Sequence, residues 1–209
     1  WTELVNELVR RHPWSDQFVY LHITRGVSRR DHGFPKDPVA PTVFAQTSPL
    51  KLPDPALRET GVEVISLADE RWAHCDIKSI SLLGNVLARQ AAVEAGAFEC
   101  VQFRDGFMTE GSSSNFWVVR DGAVYGAPLD HRVLAGIRVG LIEELCAELA
   151  VPFHLQPILR EQVASADELL LSSATKEILP VTRLDGQPIG SGRPGPVFAR
   201  LYDAYQRVK

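Results

Sequence analysis

The sequence is poor in features that would mark many classes of protein. It has only three cysteines, Cys75, Cys100 and Cys146. They are odd in number and widely spaced, which excludes a disulfide framework and a paired-cysteine zinc site and leads us to expect a reducing cytoplasm. Net charge is small, −4 at pH 7, and the one basic cluster, Arg29-Arg30, is too small to attract nucleic acid. No apolar run approaches the roughly 18 residues a membrane helix needs, so no span is expected. The start shows no charged, apolar and small-residue leader. Neither a Walker A loop nor a G-x-G-x-x-G is present. The run Gly111 to Asn115 misses the serine-hydrolase elbow, because Asn115 stands where the last glycine belongs. The triplet His74-Cys75-Asp76 would point its neighbours to opposite faces of an extended strand, and no second cluster completes a metal site. No internal repeat or low-complexity tract occurs.

What is present is ordinary globular material. The 209 residues, 45% hydrophobic and 23% charged, suffice for one full domain and part of a second. Trp1 opens what reads as the middle of a helix, Thr2 to Arg11, with Leu4, Val5, Leu8 and Val9 on one face. No N-cap precedes it, so further chain is expected upstream. Gln17 to Thr24, rich in β-branched and aromatic residues, predicts a strand. A polar loop from Arg25 to Pro35 follows, then a proline-punctuated stretch with a short strand at Val43 to Gln46. Gly61 to Leu67 predicts another strand. Ser79 to Gly96 gives the clearest helical period, with Leu82, Leu83, Val86, Leu87, Ala91 and Val93 as its apolar face and Gly96 as its stop. Strands are expected at Cys100 to Phe103, Asn115 to Arg120 and Glu168 to Ser172. Hairpin turns are expected at Asp121-Gly122, leading into Val124-Tyr125, and at Asp185-Gly186. Helices are expected at Ile137 to Leu149 and Gly195 to Val208. Irregular alternation with hairpins argues for a mixed α+β layer structure rather than a doubly wound sheet.

Four segments could carry chemistry: Arg30-Asp31-His32 in the first loop, Cys75 to Ser79 before the best helix, Thr109 to Asn115 before a strand, and Ala135 to Arg138 opening the second long helix. Each alone has an ordinary structural reading, as a solvated lysine, a turn, a helix start or a surface pair. Together they match one set of needs. A lysine that captures an aldehyde cofactor must be fixed and act as a nucleophile. A protonated pyridine nitrogen needs a carboxylate. A phosphate suits the N–H groups of a helix start, and a substrate carboxylate suits arginine and imidazole donors.

The run Tyr20 to Pro35, the segment Asp76-Ile-Lys-Ser-Ile-Ser-Leu-Leu-Gly-Asn85 and the segment Thr109-Glu-Gly-Ser-Ser-Ser-Asn115 resemble the fold-type IV pyridoxal-phosphate aminotransferases, D-amino-acid aminotransferases above all. The 32 positions from Lys78 to Glu110 are also the family's spacing. The resemblance implies an α+β fold: the family's large C-terminal domain, with mixed sheets, a barrel-like β core and surrounding helices. Residues 1–50 would be the end of a small, largely absent N-terminal domain and its connection, and 51–209 the cofactor-binding domain. It implies pyridoxal 5'-phosphate on Lys78, Glu110 on the pyridine N–H, Leu134 on the ring face, and Ile137, Arg138, Ser173, Ala174 and Thr175 around the phosphate. At positions 138 and 174 the family's hydroxyls are replaced, and Arg138 would supply charge instead. Arg30 and His32 would grip the substrate carboxylate across a homodimer. The implied reaction moves an amino group from a D-amino acid such as D-alanine to an α-keto acid such as 2-oxoglutarate; the Arg30-x-His32 pair favours this substrate. Branched-chain L-amino-acid aminotransferase and aminodeoxychorismate lyase share the lysine and glutamate segments. A non-catalytic domain that only dimerises is the alternative of another class.

Overall fold

The computed structural model describes all residues, Trp1–Lys209, which fall into two compact units, Trp1–Leu52 and Pro53–Lys209. The first unit holds helix α1 (Thr2–Arg10) and strands β1 (Gln17–Thr24) and β2 (Thr42–Pro49), paired antiparallel in full register from Gln17↔Pro49 to Thr24↔Thr42. The strand expected at Val43 to Gln46 is therefore longer. Once β1 offers an edge, every residue from Thr42 to Pro49 finds a partner, with Pro49 at the strand's end, where proline is tolerated.

The second unit runs α2 (Ala56–Thr60), β3 (Val62–Ala68), α3 (Leu83–Glu94), β4 (Glu99–Arg104), β5 (Phe107–Gly111), β6 (Asn115–Arg120), β7 (Ala123–Gly126), α4 (Ile137–Glu148), β8 (Phe153–Leu155), α5 (Arg160–Ala164), β9 (Glu168–Ser173), β10 (Glu177–Leu184), β11 (Gln187–Pro188) and α6 (Pro196–Val208). Its nine-stranded sheet is ordered β5-β4-β3-β10-β9-β6-β7-β8, with β11 on β10. β3 pairs parallel with β4 and β10, and β7 parallel with β8, while the other pairs are antiparallel. The mixed α+β expectation is borne out.

Period-two alternation decides where the side chains go. Phe116, Val118, Leu169 and Leu171 enter one core with Val64, Val101 and Leu179. Their neighbours Trp117, Val119 and Leu170 enter a second core with Val139, Ile142 and Leu145 of α4 and Phe198 and Leu201 of α6. Burial on both faces explains why β6 and β9 read as unbroken apolar runs.

Two expectations need correction. The helix expected from Ser79 begins only at Leu83, and residues 76–82 form the loop that bears Lys78. Its apolar face is not the packed one. Leu83, Val86, Leu87 and Val93 are exposed, and the helix seats on its small residues Ala88 and Ala92, against Ala97 and Cys100. Periodicity reports that a helix has a greasy stripe, not that this chain covers it. The second correction concerns β5. Asp105 and Gly106 both have positive φ (54° and 83°) and turn β4 into β5, as Asp121-Gly122 and Asp185-Gly186 turn their own hairpins. The expected hairpins rest on the second and third of these Asp-Gly pairs and omit the first, and with it the strand that carries Glu110.

Candidate active site

Glu110 lies on β5 with its side chain buried. One carboxylate oxygen accepts from Arg71 Nη1 in an ion pair. The other accepts from the Leu134 backbone N–H at 3.1 Å and from Asn115 Nδ2 at 3.2 Å. Arg71 is itself buried and grips Asp69 with a fork, Nε to Oδ1 and Nη2 to Oδ2, both at 2.9 Å. Arg104 adds a second cation to Asp69 at 3.1 Å. Burial pushes Asp69 up, but the Arg71 hydrogen bonds and charge outweigh it and hold the carboxyl at about 2. Glu110 goes the other way. Burial raises its pKa even beside Arg71, and the nearby Asp69 charge adds to the rise. A buried carboxylate fixed in place by these donors is suited to holding a cationic partner such as a protonated ring nitrogen.

Three of the four predicted site segments are tied together around this pair. Arg71 Nη2 donates to the Arg132 carbonyl at 3.0 Å, and the Cys75 N–H donates to the His131 carbonyl at 2.7 Å. These bonds tie the start of the lysine segment to the 131–134 loop. Asn85 of α3 donates to the Ser112 carbonyl at 2.9 Å, which ties the far end of that segment to the loop after Glu110. Asn115 also donates to the Leu134 carbonyl at 3.0 Å. At Gly136 any Cβ would run into the Asn115 side-chain oxygen, so only glycine allows this approach.

Gly136 caps α4 with its backbone only, and no acidic residue sits in the helix's first turn. The N–H groups of Ile137 and Arg138 thus stand at an uncapped, twelve-residue helix start. Arg138 reaches the Ala174 carbonyl through Nη2 at 3.3 Å, and its buried Nε has no partner. The Ser173 hydroxyl accepts from the Lys176 N–H at 3.1 Å, closing the 173–176 turn. A guanidinium with an orphaned donor, an uncapped helix start and a hydroxyl-bearing turn form a donor set that fits a phosphate.

The structure therefore brings Glu110, Leu134, Arg138 and Ala174 into one neighbourhood, Glu110 bonded to Leu134 and Arg138 to Ala174, with Ile137 and Ser173 beside them in the chain. Lys78 is exposed on the 76–82 loop, and Thr175 is half-buried in the turn. Arg30 and His32 are exposed on the β1–β2 loop of the first unit. In that loop Arg25 lies over the Phe34 ring at 3.9 Å and Asp31 accepts from the His32 N–H at 2.6 Å. A cleft of about 700 Å³ lined by Trp72, Leu82, Leu87 and Gln102 has neither Lys78 nor Glu110 in its wall. It runs from the uncovered α3 face to Arg71, the ion-pair partner of Glu110, and Asn85 also lines it.

Sequence reasoning misses Asp69, Arg71, Glu99 and Lys176. Asp69 and Arg71 leave no local mark. Glu99 leaves one: a charge between Phe98 and Cys100 at the start of an apolar strand is a buried charge in need of a partner.

Comparison with known proteins gives consistent results. The sequence profile of the family described as amino-transferase class IV matches residues 1–184. The D-alanine aminotransferase of Staphylococcus aureus (strain N315) is 38% identical over 98% of this chain and 72% of its own length. The D-alanine aminotransferase of Bacillus licheniformis is 39% identical over 97% of this chain and 71% of its own. Among solved structures, the branched-chain amino acid aminotransferase of Escherichia coli superposes with a TM-score of 0.87 at 25% identity, covering 99% of this chain and 70% of that one.

Proposed function

Because the chain belongs to the class IV aminotransferases, the family expected from its lysine and glutamate segments, we propose that it moves an amino group from a D-amino acid such as D-alanine to a 2-oxo acid, with pyridoxal 5'-phosphate as cofactor. The observation that carries this reading is the buried Glu110, held by Arg71 on one oxygen and by the Leu134 N–H and Asn115 on the other. When bound, the cofactor supplies an electron sink for the carbanion formed at the substrate's Cα.

The chain's own residues do the rest. Lys78 holds the aldehyde between turnovers, and its freed amine takes the proton from the donor's Cα. Glu110 keeps the ring nitrogen protonated. The first-turn N–H groups of Ile137 and Arg138, with Ser173, Ala174 and Thr175, hold the phosphate, and Leu134 covers a ring face. Arg138 gives charge where a hydroxyl would otherwise serve, and an unchanged cofactor affinity in Arg138→Ala would count against that role. On this reading residues 51–209 are the cofactor-binding domain.

In a homodimer, Arg30 and His32 of a second copy bind the donor's carboxylate, Arg30 through its planar fork. Fixing that carboxylate fixes which enantiomer presents its Cα–H to the amine of Lys78. The test is an assay of D- and L-alanine as donors to 2-oxoglutarate. Pyruvate is expected from D-alanine alone, and turnover of L-amino acids instead would overturn the substrate assignment.

A homodimer fits the same reading. Leu83, Val86 and Leu87 of α3 and the nearby Ile80 are all exposed, more than a solitary helix face gains from keeping in water. The occupant we assign is a second copy of the chain. Sedimentation is expected to give twice the chain mass, and Leu87→Glu a monomer. A wild-type chain that sediments as a monomer would refute the pairing.

A further inference from the structure

Glu99 is a fully buried carboxylate of the second unit, and the chemistry above does not use it. It opens β4 with no exposed surface. One of its oxygens accepts from the Cys100 N–H at 2.9 Å and from the Ser112 N–H and hydroxyl at 3.2 and 2.5 Å. The other accepts from the Ser114 and Ser113 hydroxyls at 2.9 and 3.4 Å and from Lys176 Nζ at 2.6 Å. Lys176 also reaches the Ser113 hydroxyl at 3.1 Å. Burial alone would raise the Glu99 carboxyl, but the Lys176 charge and these donors hold it down at about 2, so Glu99 is ionised at neutral pH.

The position of this pair matters. Lys176 directly follows Ser173-Ala174-Thr175, and its backbone N–H closes their turn on Ser173. Glu177, next in the chain, has a positive φ of 60° and is gripped by Arg58 and Lys209, both at 2.6 Å. Such a backbone conformation persists only where its surroundings enforce it. Ser112 to Ser114 closely follow Glu110 in the chain. The Glu99–Lys176 pair thus ties the turn at one end of the site to the loop leaving the acid at the other.

We propose that Glu99 and Lys176 form a positioning pair, which holds the 173–176 turn in the shape that receives the cofactor's phosphate and sets its place relative to Glu110. This rests on the cofactor reading above. Neither side chain touches the cofactor. Lys176 acts through the turn it closes, and Glu99 through Lys176 and the serine loop. A tether of this kind lowers the ordering cost of binding, because the turn is already fixed before the ligand arrives.

The test compares two aldehydes on the full chain: pyridoxal 5'-phosphate, and pyridoxal, which lacks the phosphate. Both are titrated by the visible absorbance each acquires on reacting with Lys78. For Lys176→Met the dissociation constant of the phosphorylated aldehyde is expected to rise about tenfold. That of pyridoxal should stay within about twofold, and Lys176→Arg should recover most of the loss. A generally loosened fold would weaken both aldehydes together. Equal weakening, or an unchanged phosphate-dependent affinity, overturns the proposal. Should Lys176→Met not fold, the double variant E99Q/K176M leaves no unpaired buried charge and carries the same expectation. A wild-type chain that takes up neither aldehyde overturns the cofactor reading and this inference with it. Uptake of both by wild type, with no phosphate-selective loss in the variants, overturns this inference alone.

Discussion

Replacing Lys78 with alanine is expected to abolish amino transfer, cutting kcat by about 10³-fold or more. Two functions depend on the one amine. It is the nucleophile that retains the aldehyde, and it is the base that takes the Cα proton. A positioned acid–base group alone is worth about 10² to 10⁴-fold. No other lysine stands between Lys51 and Lys176 in the sequence, so no neighbour on the 76–82 loop can substitute. The fold should survive, since Lys78 is exposed and its loss leaves no cavity. The measurement is single-turnover conversion of D-alanine together with the visible band of the bound aldehyde. Activity within about tenfold of wild type, with the band retained, would remove Lys78 from the mechanism. It would also favour the reading of a domain that only dimerises.

Replacing Arg71 with methionine is expected to cost about 3–5 kcal/mol of stability, because two buried carboxylates lose the cation they share. For a chain of this size that lowers Tm by roughly 10 °C. Methionine fills much the same space, so the loss reports charge and hydrogen bonds rather than a cavity. Lysine should rescue poorly, since it cannot reproduce the fork on Asp69 while also reaching Glu110. The pH profile supplies a second measure. Asp69 in the folded chain sits at about 2, below its ordinary 3.8. A depressed folded-state value stabilises the fold fully above about pH 4, and that contribution is lost as pH falls toward about 2. Removing Arg71 should flatten this limb of the acid-unfolding curve. A Tm within about 2 °C of wild type and an unchanged acid limb would mean that the buried cluster does not support the site.

Much of this is legible in the chain itself. The Lys78 and Glu110 segments, their separation and the small residues around Gly111 identify the family, because that chemistry needs those residue types at fixed backbone positions. The Asp-Gly turns and the runs at β6 and β9 locate strands for a local reason: their φ values and alternation are set by neighbours in sequence. The helical period from Ser79 to Gly96 finds a real helix but starts it too early and points to the wrong packed face. The strand β5 escapes a sequence reading because a short segment ending in Glu-Gly-Ser-Ser-Ser looks like a turn until β4 pairs with it.

Sequence alone thus determined which residue types could do the chemistry and the local conformations that present them, since both depend on a few neighbouring side chains. Tertiary structure alone decided that Arg71 meets Glu110 across 39 positions and Lys176 meets Glu99 across 77. Such pairings follow from strand order and long-range closure. They leave no periodic or compositional trace, and their strength comes from burial, which exists only once the sheet and its helices have packed.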